Sequence, residues 1–194
     1  MKQAINLERW EDAQIGEKHY HIQEPVEMSY LHYQNTYKHY FDYLGIESDL
    51  KGKKIIEIGP GRISGLLFCE NYGESYVIEP TEYEGIEYLY TGKNIKIIKE
   101  RAEDMDLPQV DEVWIFNLMQ HVQDPDLLIE KCKKCSKIIR FFEPIDLPTN
   151  REHPFTYSKD DFFEYFGECV TDYTPSGIPG FHGAVCVYGN YICN

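Results

Sequence analysis

From Lys53 to Phe142, short apolar runs alternate with stretches of helical period. The runs at 53–58, 75–79, 94–98, 111–116 and 137–143 predict buried strands, and the stretches at 63–72 and 124–135, with a shorter one near 82–89, predict helices. Such alternation points to a parallel sheet covered on both faces. After Phe142 the pattern changes. A loop carrying Pro144, Pro148 and Pro154 leads to Ser158-Lys159-Asp160-Asp161, a capping-box-like start for a helix running to about Phe166. Two late strands, near 168–174 and 184–192, are joined by a Pro/Gly loop with no room for a crossover helix, so they pair antiparallel. The expected class is α/β: seven strands in one mostly parallel sheet with an antiparallel last strand.

Residues 1–50 read differently, being rich in Tyr, His, Glu and Gln and without strand character. Tyr30, Tyr33, Tyr37, Tyr40 and Leu44 recur at helical spacing, which predicts one amphipathic helix over 26–44, stopped by Gly45 and packed through its aromatic stripe. Trp10 to Gln23 has only weak periodicity. The domain reading is a helical lid or flank at 1–50 and a core at 51–194.

The chain has 194 residues, with 33 acidic and 19 basic side chains and a net charge of −14. A field of that sign repels phosphate backbones and anionic lipid, so neither nucleic acid nor membrane is expected as a partner. Lys51, Lys53 and Lys54 form the only tight basic cluster near the glycine turn described below. No apolar run reaches the roughly 20 residues of a spanning helix, and the N-terminus lacks a signal-peptide core. A soluble cytoplasmic protein is expected, of unspecified oligomeric state. Its six cysteines are expected reduced, with Cys132 and Cys135 as small apolar helix residues rather than half of a zinc site.

The candidate chemistry begins at Lys53–Ser64. An apolar strand carrying Glu57 turns through Gly59-Pro60-Gly61, where glycine permits positive φ and close approach of a ligand. Ser64 then opens a predicted helix. Strand, glycine turn and helix form the start of a Rossmann-like nucleotide-binding unit. Glu79, at the end of the second strand and followed by Pro80, falls beside that turn, where its two oxygens suit the hydroxyls of a ribose.

These residues resemble the class I S-adenosylmethionine-dependent methyltransferases over most of 50–194. Glu57-Ile58-Gly59-Pro60-Gly61 is similar to the family's first motif, whose turn passes under the methionine part of the cofactor. Glu79 matches the acid that holds the ribose. Arg101-Ala102-Glu103-Asp104 resembles the adenine-side loop, and Phe116-Asn117-Leu118-Met119-Gln120-His121-Val122-Gln123-Asp124-Pro125 the run after the fourth strand. The resemblance implies S-adenosyl-L-methionine as cofactor, held by Glu57, Gly59, Pro60, Gly61, Ser64, Glu79, Pro80, Ala102, Glu103, Asn117 and Leu118. Two positions depart from the pattern. Ser64 replaces the third glycine of the turn, and Arg101 stands where many members place an aspartate on the adenine amino group. A narrower resemblance, to methyltransferases associated with surface polysaccharides, covers Trp10–Gln14 with Glu17, Ile139–Asp146 and His153–Thr156. It implies O-methylation of a sugar or other small-molecule or glycan acceptor.

On the acceptor side, His153, oriented by Glu143 or Asp146, is the first candidate for proton removal. His121, after strand four, and His182, between the last strands, follow. No spacing demands a metal. The residues 10–25 are expected to cover the site as a lid, with a static flanking helix as the alternative. A silent S-adenosylmethionine-binding protein and a nicotinamide-dependent oxidoreductase remain open at this level.

Overall fold

The computed structural model describes residues 2–173 and 183–193. The strands are β1 (Ile55–Ile58), β2 (Ser75–Ile78), β3 (Ile95–Ile98), β4 (Val110–Phe116), β5 (Ser136–Pro144), β6 (Thr171–Tyr173) and β7 (Cys186–Ile192). They form one sheet in the order β3-β2-β1-β4-β5-β7-β6. The pairs from β3 to β5 are parallel, while β7 runs antiparallel to both β5 and β6. The order reverses between β1 and β4. In an open α/β sheet the crevice outside the strand ends at such a switch point is where ligands bind.

The helices are α1 (Leu7–His21), α2 (Val26–Leu44), α3 (Glu87–Tyr90), α4 (Pro125–Cys135) and α5 (Lys159–Phe166). Alternate strand residues face opposite layers, because strand side chains have period two. Ile56, Ile58, Val113, Ile115, Ile139 and Phe141 pack with Leu128, Ile129 and Cys132 of α4 and with Phe162 and Phe166 of α5. Ile55, Trp114, Phe116 and Phe142 pack with Tyr37, Tyr40, Phe41 and Leu44 of α2. The aromatic stripe of α2 is therefore core, and Gly45 closes the helix in the left-handed region at φ 63°. Cys132 and Cys135 are buried free thiols on α4. Ser158 and Asp161 complete the capping box that starts α5.

One expected helix is missing. Residues 63–72 form only a 3₁₀ turn at Gly65–Phe68. Beyond it Cys69 is extended, and the Glu70 backbone pairs with Ser48 and bridges to Asp49. The layer is already taken: the Tyr37 ring lies so close to Gly65 that a Cβ there would come within 2.5 Å of Cε1. Helix α2, arriving from the N-terminal side, covers the face that a crossover helix would otherwise cover.

A buried ion pair fixes that helix. Glu112 of β4 accepts from Arg140 Nε of β5 at 2.5 Å and from Trp114 Nε1 at 3.1 Å, with Lys53 Nζ at 2.7 Å. Arg140 also donates at 2.8 Å to the carbonyl of Leu44, the last residue of α2. Burial opposes the charge on Glu112, but the bonds from Arg140, Lys53 and Trp114 outweigh it and hold the carboxyl at about 2. Its stabilising contribution is thus present above about 4.5 and is lost as pH falls toward 2. Arg140→Met should cost about 3 kcal/mol in urea unfolding, because it strands a buried carboxylate, whereas Arg140→Met combined with Glu112→Leu should cost less.

Candidate active site

The site is built at the carboxyl ends of β1, β2 and β4. After β1 the chain turns through Gly59 (φ 59°) and Gly61 (φ 67°). Both conformations favour glycine, and a Cβ on Gly59 would overlap Leu118 Cδ1. Gly59 N–H donates to Ile78 O at 2.8 Å, pinning the turn to β2.

Buried carboxylates hold the loops in place. Glu57 accepts from Tyr37 Oη at 2.5 Å, from Gly65 N–H at 3.2 Å and from the Ser64 hydroxyl. Glu79 accepts from Gly61 N–H at 3.0 Å and from Thr81 N–H at 2.8 Å. Burial raises the pKa of both, against these bonds. Glu103 takes the N–H groups of Gln123 and Asp124 ahead of α4. Glu143, at the end of β5, accepts from Leu118 N–H at 2.8 Å and Met119 N–H at 3.2 Å.

Two cavities open on this frame. A narrow cleft of about 70 Å³ is lined by Gly59, Glu79, Pro80, Ala102, Glu103 and Leu118, with Trp10, Gln14 and Arg101 across it. A chamber of about 600 Å³ is lined by Pro60, Asn117, Gln120 and His153, with Tyr33, Tyr37 and Tyr40 from α2. Gly59, Glu17 and His121 line both and mark where the two meet.

Helix α1 roofs the junction. Asn6 caps it by accepting from Arg9 N–H at 2.8 Å. Arg9 donates to the carbonyls of Asn150 and Arg151, and Arg151 pairs with Asp12, so the helix is strapped to the loop beyond β5. Trp10 Nε1 donates at 3.0 Å to the His121 carbonyl, and Arg101 lies 5.1 Å from the centre of the Trp10 ring. Trp10, Gln14, Glu17 and His21 follow one another at helical spacing down the inner face.

No family model and no curated protein sequence matches this chain. Solved structures do. A 1,6-didemethyltoxoflavin-N1-methyltransferase from Burkholderia thailandensis, with S-adenosylhomocysteine and 1,6-didemethyltoxoflavin bound, aligns over 100% of this chain and 93% of its own, at TM-score 0.66 and 11% identity. A chain from a complex between the Haloferax volcanii Trm112 methyltransferase activator and a methyltransferase aligns over 98% and 99%, at TM-score 0.64 and 13% identity. The N-terminal domain of EvdMO1, crystallised in the presence of S-adenosylhomocysteine and D-fucose, aligns over 83% and 84%, at TM-score 0.60 and 14% identity. The fold is that of the class I S-adenosylmethionine-dependent methyltransferases.

Within this methyltransferase fold the expected site residues separate into two groups. Gly59, Pro60, Glu79, Pro80, Ala102, Glu103, Asn117 and Leu118 line the cleft or the chamber. Gly61 lies against them, bonded to Glu79. Glu57 and Ser64 line neither cavity; Glu57 is engaged by Ser64, Tyr37 and the Gly65 N–H, and the Ser64 hydroxyl by Glu57 and the Leu66 N–H, so they shape the glycine loop from behind. Arg101 faces the cleft while paired with Asp104.

His121 and His153 come together at the wall of the chamber, their rings 4.7 Å apart. Glu143 does not orient His153: its two oxygens are committed to the turn after β4. Asp146 is exposed. The carboxylate beside His153 is Glu17, 3.6 Å from its Nε2. His182 lies outside the described residues. The expected helical lid or flank takes the form of α1, Leu7–His21, whose bounds the weak periodicity of Trp10 to Gln23 does not give because the inward face is polar. The spacing of Trp10, Gln14, Glu17 and His21 was the available signal.

Burial pushes the Glu143 carboxyl up to about 8, against the two backbone N–H bonds that favour its ionised form. Between about 4.5 and 8 the folded chain therefore holds a proton that the unfolded chain has released. The contribution of Glu143 to stability is greatest at the acid end of this window and declines as pH rises through it. Urea unfolding of Glu143→Gln should lack that decline, giving a flatter stability profile than the parent between about pH 5 and 8.

Proposed function

We propose that this chain is an S-adenosylmethionine-dependent methyltransferase acting on a hydroxyl of a sugar or other small molecule. The observation that carries the reading is the junction of cleft and chamber under the glycine turn. Glu79, Pro80, Ala102, Glu103 and Leu118 would hold the adenosine end, with the methionine end running past Gly59, Gly61, Pro60 and Asn117 toward the chamber. The sulfonium methyl then meets an acceptor near Glu17, His121 and His153.

Methyl transfer needs little of the protein beyond alignment and proton removal. The acceptor oxygen forms a bond to the methyl carbon as the carbon–sulfur bond breaks, and the electron pair stays on sulfur. The acceptor's proton is lost at the His121–His153–Glu17 cluster, with His153 facing the open chamber and Glu143 positioning the loop that carries His121. A chamber rich in Tyr, His, Asn and Gln side chains suits a polyhydroxylated ligand. The D-fucose named with the EvdMO1 domain supports a sugar acceptor, and the net charge of −14 disfavours nucleic acid. No helix among the described residues is long and apolar enough to cross a membrane.

A cleft of about 70 Å³ holds a few waters and not a nucleoside. This small volume supports reading α1 as a lid that swings outward for cofactor entry. Hydrogen exchange should show amides of α1 gaining protection on addition of S-adenosylhomocysteine; full protection unchanged by ligand would identify a static flank instead.

Glu79→Ala should weaken S-adenosylhomocysteine binding in calorimetry by about 1.5–3 kcal/mol, roughly 10- to 150-fold, by removing charged acceptors for the ribose diol. Binding of NAD(H) alone would replace this reading with an oxidoreductase. Transfer of a labelled methyl group to sugars, sugar nucleotides or small metabolites tests the activity itself. Binding of cofactor without transfer to any of them would favour a silent binding protein.

A further inference from the structure

Three side chains from distant segments converge where the cleft meets the chamber. Glu17 comes from α1, His121 from the turn after β4 and His153 from the loop beyond β5. Glu17 Oε1 stands 3.5 Å from His121 Nδ1 and 3.6 Å from His153 Nε2. One donor atom from each residue lies within 4.8 Å of the other two. These separations are long for hydrogen bonds. They are close to the spacing of donors around one tetrahedral ion, where bonds of about 2.0–2.2 Å place neighbouring ligand atoms roughly 3.4 Å apart.

We propose that Glu17, His121 and His153 bind a divalent first-row transition-metal ion, zinc in the first instance, with one coordination position open to the chamber. Two imidazoles and a carboxylate are a suitable donor set for such an ion, and three protein ligands with an open position are the pattern of a catalytic rather than a structural centre.

An outer layer orients the donors, as metal ligands require. The other Glu17 oxygen, Oε2, lies 3.3 Å from His21 Nε2, and His21 Nδ1 meets the Tyr33 hydroxyl at 2.9 Å. The His121 backbone is held by Trp10. His121 Nδ1 also lies 3.2 Å from the Glu152 carbonyl. Loading the ion displaces any proton from that nitrogen and leaves the carbonyl as a nearby oxygen donor.

The consequence for chemistry rests on the methyltransferase reading above. An acceptor hydroxyl on the open position has its pKa lowered by the ion and loses its proton to chamber water. The oxygen then attacks the sulfonium methyl, the carbon–sulfur bond breaks, and its electrons neutralise the sulfur. With the ion bound, His121 and His153 serve as its ligands, and the proton-accepting role given to the cluster above passes to chamber water acting on the ion-bound hydroxyl. The ion would favour acceptors that chelate through adjacent hydroxyls.

The test uses the full chain, stripped with chelator and titrated with Zn²⁺ by calorimetry and with Co²⁺ by visible absorption. One ion per chain is expected, with the intense ligand-field band of tetrahedral Co²⁺. His153→Gln and Glu17→Gln should each weaken binding by at least about 100-fold and abolish the band, while circular dichroism shows them folded. Cys132→Ala with Cys135→Ala should leave both unchanged. No stoichiometric binding, or binding that survives the Glu17 and His153 substitutions, overturns the site. S-adenosylhomocysteine binding measured on the same stripped samples separates the two readings. Metal binding without cofactor binding sinks the methyltransferase and leaves the centre. Full methyl transfer in excess chelator removes the ion from the mechanism.

Discussion

Backbone N–H groups at the carboxyl edge of a parallel sheet have no strand partner, and in this protein buried glutamates satisfy them. Glu57 answers Gly65, Glu79 answers Gly61 and Thr81, Glu103 answers Gln123 and Asp124, and Glu143 answers Leu118 and Met119. An unpaired buried N–H costs free energy comparable to a lost hydrogen bond. A carboxylate with two oxygens can hold two such groups and still present lone pairs to a ligand. The loops that carry the site are therefore held from below by buried carboxyl groups, and burial raises the pKa of Glu57, Glu79 and Glu143.

The same economy explains the N-terminal helices. With Glu57 committed to the turn and Tyr37 laid over Gly65, the first crossover has no space for an α-helix. Helix α2 supplies the covering layer instead, and the Glu112–Arg140 pair fastens its last carbonyl to the sheet. Helix α1, capped by Asn6 and strapped by Arg9 and Asp12 to the loop beyond β5, then roofs the junction of the two cavities. Its inner face is polar because it faces a site and not a core.

Much of this was legible in the chain. The apolar runs give five strands and α4 within a few residues, since buried strands and an amphipathic helix leave direct periodic traces. Helix α2 and its Gly45 stop, and the α5 capping box, were equally plain because each rests on local stereochemistry. Gly59, Gly61 and Glu79 fall together because a strand-end position is fixed once the sheet order is.

What the sequence determined by itself is whatever depends on near neighbours: strand and helix identity, the glycine turn, the caps and the sign of the field around the molecule. Only the tertiary structure decided which carboxylate serves which loop, that α2 displaces the first crossover helix, and that Glu17 rather than Glu143 stands beside His153. Residues 17, 121 and 153 have no spacing in common, and their meeting is a property of three elements packed at one sheet edge. A pattern along the chain records local geometry. The contacts between distant segments arise only once hydrophobic burial has fixed the layers.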